Sequence, residues 1–131
     1  MEVNTFGPLR VAKSVLNLLL AATPKTLINI SSMAGSVANL TRINQYGYTM
    51  SKAALNMQSK LIRNHFGPEG LNVLAVHPGG MPTLILGDPE ITKNAPVKPE
   101  ESARGIVALA GRKWGADEHF FVDYQGSPIP W

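Results

Sequence analysis

The chain has 131 residues, 44% hydrophobic and 16% charged, a balance that supports one packed domain over residues 1–131 and excludes a disordered chain. Its net charge of +3 comes without a Lys/Arg cluster, which argues against a nucleic-acid partner, and its lack of cysteine excludes disulfides and thiolate-held metals and fits a cytoplasmic protein. No basic segment precedes an apolar run at the N-terminus, and the longest such run, Leu18–Ala22, is too short to span a bilayer, so neither a signal peptide nor a membrane partner is expected.

The first predicted element is a helix from about Thr5 to Ala22. Val11, Ala12, Val15, Leu16, Leu18, Leu19 and Leu20 cover a wide apolar arc, which predicts burial on two sides. Thr23-Pro24-Lys25 ends it, and Thr26-Leu27-Ile28-Asn29-Ile30 has the length and composition of a strand. Ser31–Gln45 is polar and glycine-containing, and reads as a loop. Tyr46–Phe66 reads as a second long helix, with Met50, Ala54, Met57 and Leu61 at helical spacing, stopped by Gly67-Pro68-Glu69-Gly70. Asn72–His77 is the next strand and Pro78-Gly79-Gly80 ends it. Residues 81–98 are punctuated by proline and show no period. Pro99-Glu100-Glu101 opens a third helix running to about Ala110, because proline suits the first turn and acids suit the positive end of the dipole. Phe120-Phe121-Val122 is a last short strand.

Alternating helices and apolar strands predict an α/β fold with a parallel sheet, right-handed crossovers and helices on both faces. Active sites in such sheets sit at the carboxyl ends of the strands. Ser31-Ser32 and Pro78-Gly79-Gly80 each follow a strand and therefore share one edge with the start of the second helix. There Tyr48 and Lys52 stand four residues apart, on one helix face. An ammonium beside a phenol favours the phenolate, and such a phenol can exchange a proton with a carbonyl oxygen that a serine hydroxyl polarises.

In this order the motifs resemble the short-chain dehydrogenase/reductase family. Ile28–Ser36 is similar to the family's serine-bearing strand and turn, Tyr48–Lys52 to its Tyr-x-x-x-Lys helix, and His77–Thr83 to its Pro-Gly-x-x-x-Thr segment. Asn4, ahead of Thr5-Phe6-Gly7, matches the fourth catalytic position. Phe121–Trp131 resembles the endings of the sniffer/C-factor-like branch. The resemblance implies NAD(P)-dependent hydride transfer between a nicotinamide and a small carbonyl or alcohol substrate. It implies Tyr48 as proton donor or acceptor, and Lys52 as the group that favours the Tyr48 phenolate and holds the nicotinamide ribose. Ser32 would orient the substrate carbonyl and Asn4 would hold a relay water. Pro78, Gly79, Gly80 and Met81 would lie against the nicotinamide of NAD or NADP, with Thr83 bonded to its carboxamide. Sixteen positions separate Ser32 from Tyr48, a longer loop than usual in the family, so it is expected to bulge.

The sequence departs from the family in one large respect. It starts where a full member is halfway through, so the expected fold is a partial Rossmann-like doubly wound sheet without its glycine-rich phosphate-binding part. The alternative function is therefore a non-catalytic remnant, or a binding or assembly module that keeps the fold. A missing neighbour would leave the Thr26–Ile30 strand with an open edge. Apolar surface is expected at Val11, Val15, Leu18 and Ala22 on the first long helix and at Leu55 and Ile62 on the second. The resemblance implies that these helices pair, so a homodimer or higher homo-oligomer is expected.

Several residues also admit a plainer role. The serines can cap their turn, and Asn4 can cap a helix. Tyr46 is read as packing or lining the substrate mouth, Ser31 as a structural hydrogen-bonder, and His77 as a strand-end residue. His65 and His119 read as surface residues, and no ligand spacing points to a metal. The methionines read as core or pocket wall.

Overall fold

Three short β-branched and aliphatic runs pair in parallel as the sheet β1–β2–β3: β1 is Thr26–Ile30, β2 is Asn72–His77 and β3 is Phe121–Asp123. The computed structural model describes residues 1–83 and 89–131; residues 84–88, inside the stretch read as lacking a period, lie outside the described residues. Thr26 sits opposite Asn72 and Ile30 opposite Val76, while Ala75 faces Phe121 and His77 faces Asp123. Paired strands show the same face at the same register position, so side chains sort into two layers. Leu74, Val76 and Val122 pack with Leu109 on one face, joined by Ile28, Ile106 and Trp114. Ala75 and Phe121 pack with Ile129 on the other.

The connections are helices. α1 spans Gly7–Ala21, α2 Tyr46–Phe66, α3 Pro89–Thr92 and α4 Pro99–Gly111. α4, from which Ile106 and Leu109 come, covers the Leu74 face; α2 covers the opposite one, where its Ser59 meets Asn29. The expected α/β alternation is present, with α3 added in the proline-punctuated stretch. The second strand and second helix have the predicted bounds. Among the described residues no strand pairs with the outer edge of β1, and no helix is long and apolar enough to cross a membrane.

Two packing expectations need correction. The first helix is not α-helical from Thr5: Glu2–Phe6 forms a π turn that runs into α1. Its cause is distant in sequence. Gln58 of α2, with its amide oriented to satisfy both neighbours, donates to Thr5 O at 3.0 Å and accepts from Leu9 N at 3.2 Å. It occupies the two groups an α-helix would bond to each other, and an inserted side chain is a regular cause of such a bulge.

The second correction concerns which faces are buried. Met50, Met57 and Leu61 of α2 are exposed, whereas Leu55, expected on the surface, is 2% exposed. The inward face of α2 is mainly polar, comprising Thr49, Ser51, Asn56, Gln58, Ser59 and Arg63 beside Leu55. The methionine stripe is therefore the outer face, not core. Ser59 accepts from Asn29 Nδ2 at 2.9 Å and donates to Leu55 O at 2.8 Å. Arg63, whose guanidinium burial pushes below its usual range, donates to the carbonyls of Val73, Gly115, Ala116 and Glu118. On α1 only Ala12 is buried, and Val11 and Leu18 are exposed, so the predicted two-sided burial is absent.

Candidate active site

β1 and β2 end at the same edge, so the turns that follow them meet the start of α2. Ser31 N donates to Val76 O at 2.7 Å, which fixes the end of β1 against β2. The chain then makes a 3₁₀ turn at Met33–Gly35, with Ser32 as its cap. Ser32 Oγ accepts from Ala34 N at 3.1 Å, and among the described residues nothing takes its own proton. Both readings of Ser32 therefore coexist: it caps the turn and keeps its hydroxyl hydrogen available. Ser31 Oγ donates to Asn56 Oδ1, and Asn56 Nδ2 donates to Gly35 O at 3.1 Å. That is the structural role expected of Ser31.

Gly35 is required by this contact. A Cβ there would stand 2.7 Å from Asn56 Nδ2 and 2.9 Å from the Lys52 carbonyl oxygen. A bare α-carbon lets the serine turn rest directly on the helix carrying Tyr48 and Lys52.

Ser32, Tyr48, Pro78, Gly79, Gly80, Met81 and Thr83 all line one open cleft of about 770 Å³. Seven of the proposed site residues thus share one wall system. Gly79 has φ 87°, and its α-carbon lies against Val97 and Tyr124, so glycine is needed for both backbone and space. The Pro78–Gly80 segment brings nearly bare backbone to the cleft. Pro78 O is held by Ser102 Oγ at 2.6 Å. Thr83 is fastened by its backbone, with N donating to Thr92 Oγ1 at 2.9 Å and O accepting from it at 2.8 Å.

Lys52 and Asn4 lie outside the cleft lining. Lys52 Nζ donates to Ile30 O at 2.8 Å and stands 5.9 Å from the Tyr48 ring centroid, as the i, i+4 spacing predicts. Burial pushes the Lys52 ammonium below its usual range. Asn4 sits within the π turn and not at a helix cap. Its Nδ2 donates to Ser51 Oγ at 3.1 Å, and Ser51 Oγ donates to Tyr48 O at 2.7 Å. Asn4 is thereby linked to the backbone of the Tyr48 turn.

The cleft also holds two residues the sequence did not single out, Arg42 and Gln45, which line it from the loop before α2; His77, read as a strand-end residue, lines it from the end of β2. Arg42 is the one charged residue between Ser32 and Tyr48, a signal present in the sequence. His77 Nδ1 is buried without a partner among the described residues. Burial pushes the imidazole below its usual range; Asp123 opposes the shift and Arg42 adds to it. Tyr46, exposed at the mouth, lines the cleft as expected.

Comparison with known proteins agrees with this fold. A family model described as short chain dehydrogenase matches residues 1–93. The C-signal protein of Myxococcus xanthus is 35% identical over 129 residues, covering 98% of this chain and 75% of that protein. The solved structure of carbonyl reductase Sniffer of D. melanogaster superposes with a TM-score of 0.84 at 31% identity, covering 98% of this chain and 54% of that one. NADPH-bound carbonyl reductase from chicken fatty liver gives 0.80 at 28% identity, covering 98% and 52%. The chain thus spans three quarters of C-signal and about half of these solved structures. The matched family and the shared fold lead to one conclusion: the chain belongs to the short chain dehydrogenase family.

Proposed function

We propose that the chain carries the acid–base half of an oxidoreductase that interconverts a carbonyl and an alcohol. The observation that carries this reading is the shared cleft, in which the Ser32 hydroxyl and the Tyr48 phenol line one space with the Pro78–Met81 backbone. In the reducing direction Ser32 donates its free hydrogen to the substrate oxygen and polarises the carbonyl. Tyr48 delivers the proton that this oxygen needs as it becomes an alcohol. Lys52, beside the Tyr48 ring, stabilises the phenolate left behind. Asn4 holds a water on the path that returns a proton, through the turn it shares with Ser51.

NAD or NADP is the cofactor this reading requires, and the residues present fit its nicotinamide end. A planar ring can lie against the side-chain-poor Pro78–Gly80 wall of the cleft. Met81 and Thr83 would flank it. When bound, the nicotinamide supplies or accepts the hydride. Ser32, Tyr48 and Lys52 do the remainder: they orient the oxygen and move its proton.

The test is the Tyr48→Phe variant, with the chain alone or joined to a glycine-rich cofactor-binding half. It keeps the ring and removes the acid, so turnover should fall by roughly 10²–10⁴. Near-full turnover would end the assignment of Tyr48.

A second reading, a non-catalytic assembly module, draws on one observation. Val11 and Leu18 of α1 and Met57 and Leu61 of α2 are exposed apolar residues on long helices. A second copy of this chain is the partner we infer for them, forming a homodimer through the two helices. This association is compatible with catalysis and does not replace it.

A further inference from the structure

We propose that Arg42 is a specificity-determining residue that binds a carboxylate on the carbonyl substrate. The proposal rests on the oxidoreductase reading above and narrows its substrate class to anionic carbonyl compounds. Among the described residues lining the cleft, Arg42 alone carries a permanent charge, and no carboxylate stands there. Its guanidinium has five N–H donors. One is used, by Nη1 donating to Gln45 Oε1, which is a neutral amide. The ion pairs of the described residues lie elsewhere, at Arg10–Glu2, Lys93–Glu90 and Arg112–Glu118. Among the described residues Arg42 is therefore a cation without a counter-ion, held at the mouth of the cleft that Ser32 and Tyr48 also line.

The holding arrangement is specific. Gln45 has φ 64°, a left-handed conformation that costs a non-glycine residue free energy and persists only where its surroundings impose it. The kink turns the loop so that Arg42, Gln45, Tyr46, Gly47 and Tyr48 form one continuous wall. The first turn of α2 lacks a side-chain cap, and the positive end of its dipole stands on the same wall as Arg42. A planar, bidentate donor matches a carboxylate better than a neutral polar group. A neutral ketone would gain nothing from Arg42.

The charge reaches the reaction region. Arg42 already disfavours the protonated form of His77. A carboxylate bound at Arg42 would cancel that repulsion, which gives a readout independent of turnover. The probes are 3-acetylbenzoate and its neutral methyl ester. In the first arm, the three histidines are followed by NMR while 3-acetylbenzoate is added. The His77 titration should move to higher pH in the parent and stay fixed in Arg42→Gln. An equal movement with inorganic phosphate at the same concentration would overturn the carboxylate assignment. In the second arm, reduction of both ketones is measured with NADPH in the millimolar range. Arg42→Gln should raise KM for the acid about tenfold to a hundredfold, leave its kcat within about twofold, and leave the ester unaffected. Arg42→Lys should restore part of the loss. Equal effects on acid and ester, or none on either, would overturn the proposal. If neither ketone is turned over, by the chain alone or joined to a glycine-rich cofactor-binding half, while the His77 shift depends on Arg42, the anion site stands and the oxidoreductase reading falls.

Discussion

The α-carbon of Gly35 rests against the Lys52 carbonyl, so closely that a methyl group placed there would be 2.9 Å from that oxygen. This contact sets the distance between the serine turn and the tyrosine helix. Gly35→Ala should therefore force the two apart. The expected loss is about 1–3 kcal/mol, as for other overpacked sites. Urea unfolding should show a lower midpoint at unchanged slope. An alanine variant as stable as the parent would mean that the turn can move without resistance.

Cofactor affinity should be poor for the 131-residue chain on its own. Among the described residues no glycine-rich loop opens a helix to cradle a pyrophosphate, and such a cradle supplies much of dinucleotide binding. NAD(P)H should bind with Kd worse than about 1 mM, at most about −4 kcal/mol. Isothermal titration checks this, and micromolar binding would mean that another segment holds the phosphates.

His77 should make stability depend on pH. Burial lowers its folded pKa below the ordinary value of about 6.5, so the unfolded chain takes up a proton where the folded chain does not. Stability from this residue is present above about pH 6.5 and is lost as pH falls through the folded value. Asp123 works against the shift and Arg42 with it. Urea midpoints measured between about pH 7.5 and pH 5 should fall in the parent and flatten in His77→Gln. Parallel curves would show that the loss comes from other groups.

The exposed faces of α1 and α2 should drive self-association. Light scattering at micromolar concentration should give a mass of at least twice 14.1 kDa. Leu18, 72% exposed, is the most open of these side chains, and Leu18→Glu should shift the population toward monomer. A folded monomer of the parent, or a variant that assembles like it, would sink the dimer.

Much of the frame could be read from residue order because its signals are local. Gly67-Pro68 stops α2, Pro78-Gly79 stops β2, and both bounds stand as predicted. The position of Ser32 and Tyr48 on one edge followed from strand direction alone. What could not be read depends on contacts across the chain. The π turn exists because Gln58 reaches back to Thr5 and Leu9. The outward methionine stripe of α2 looked like a core face because periodicity finds an apolar stripe without telling which side is covered. Arg42 enters the cleft from an irregular loop, where spacing carries no direction.

The polar inner face of α2 has a consequence for how the site is kept in place. Leucines packed on a sheet tolerate small slides, since dispersion contacts vary smoothly with distance. Asn29–Ser59, Ser31–Asn56 and Arg63 with its four carbonyls do not, because hydrogen bonds weaken steeply away from good geometry. A shift of α2 by one turn would carry Tyr48 about 5.4 Å along the helix axis and break all of them together. The seam works as a key in a lock with one depth: the phenol is either at the strand ends or the helix is undocked, and intermediate positions are empty.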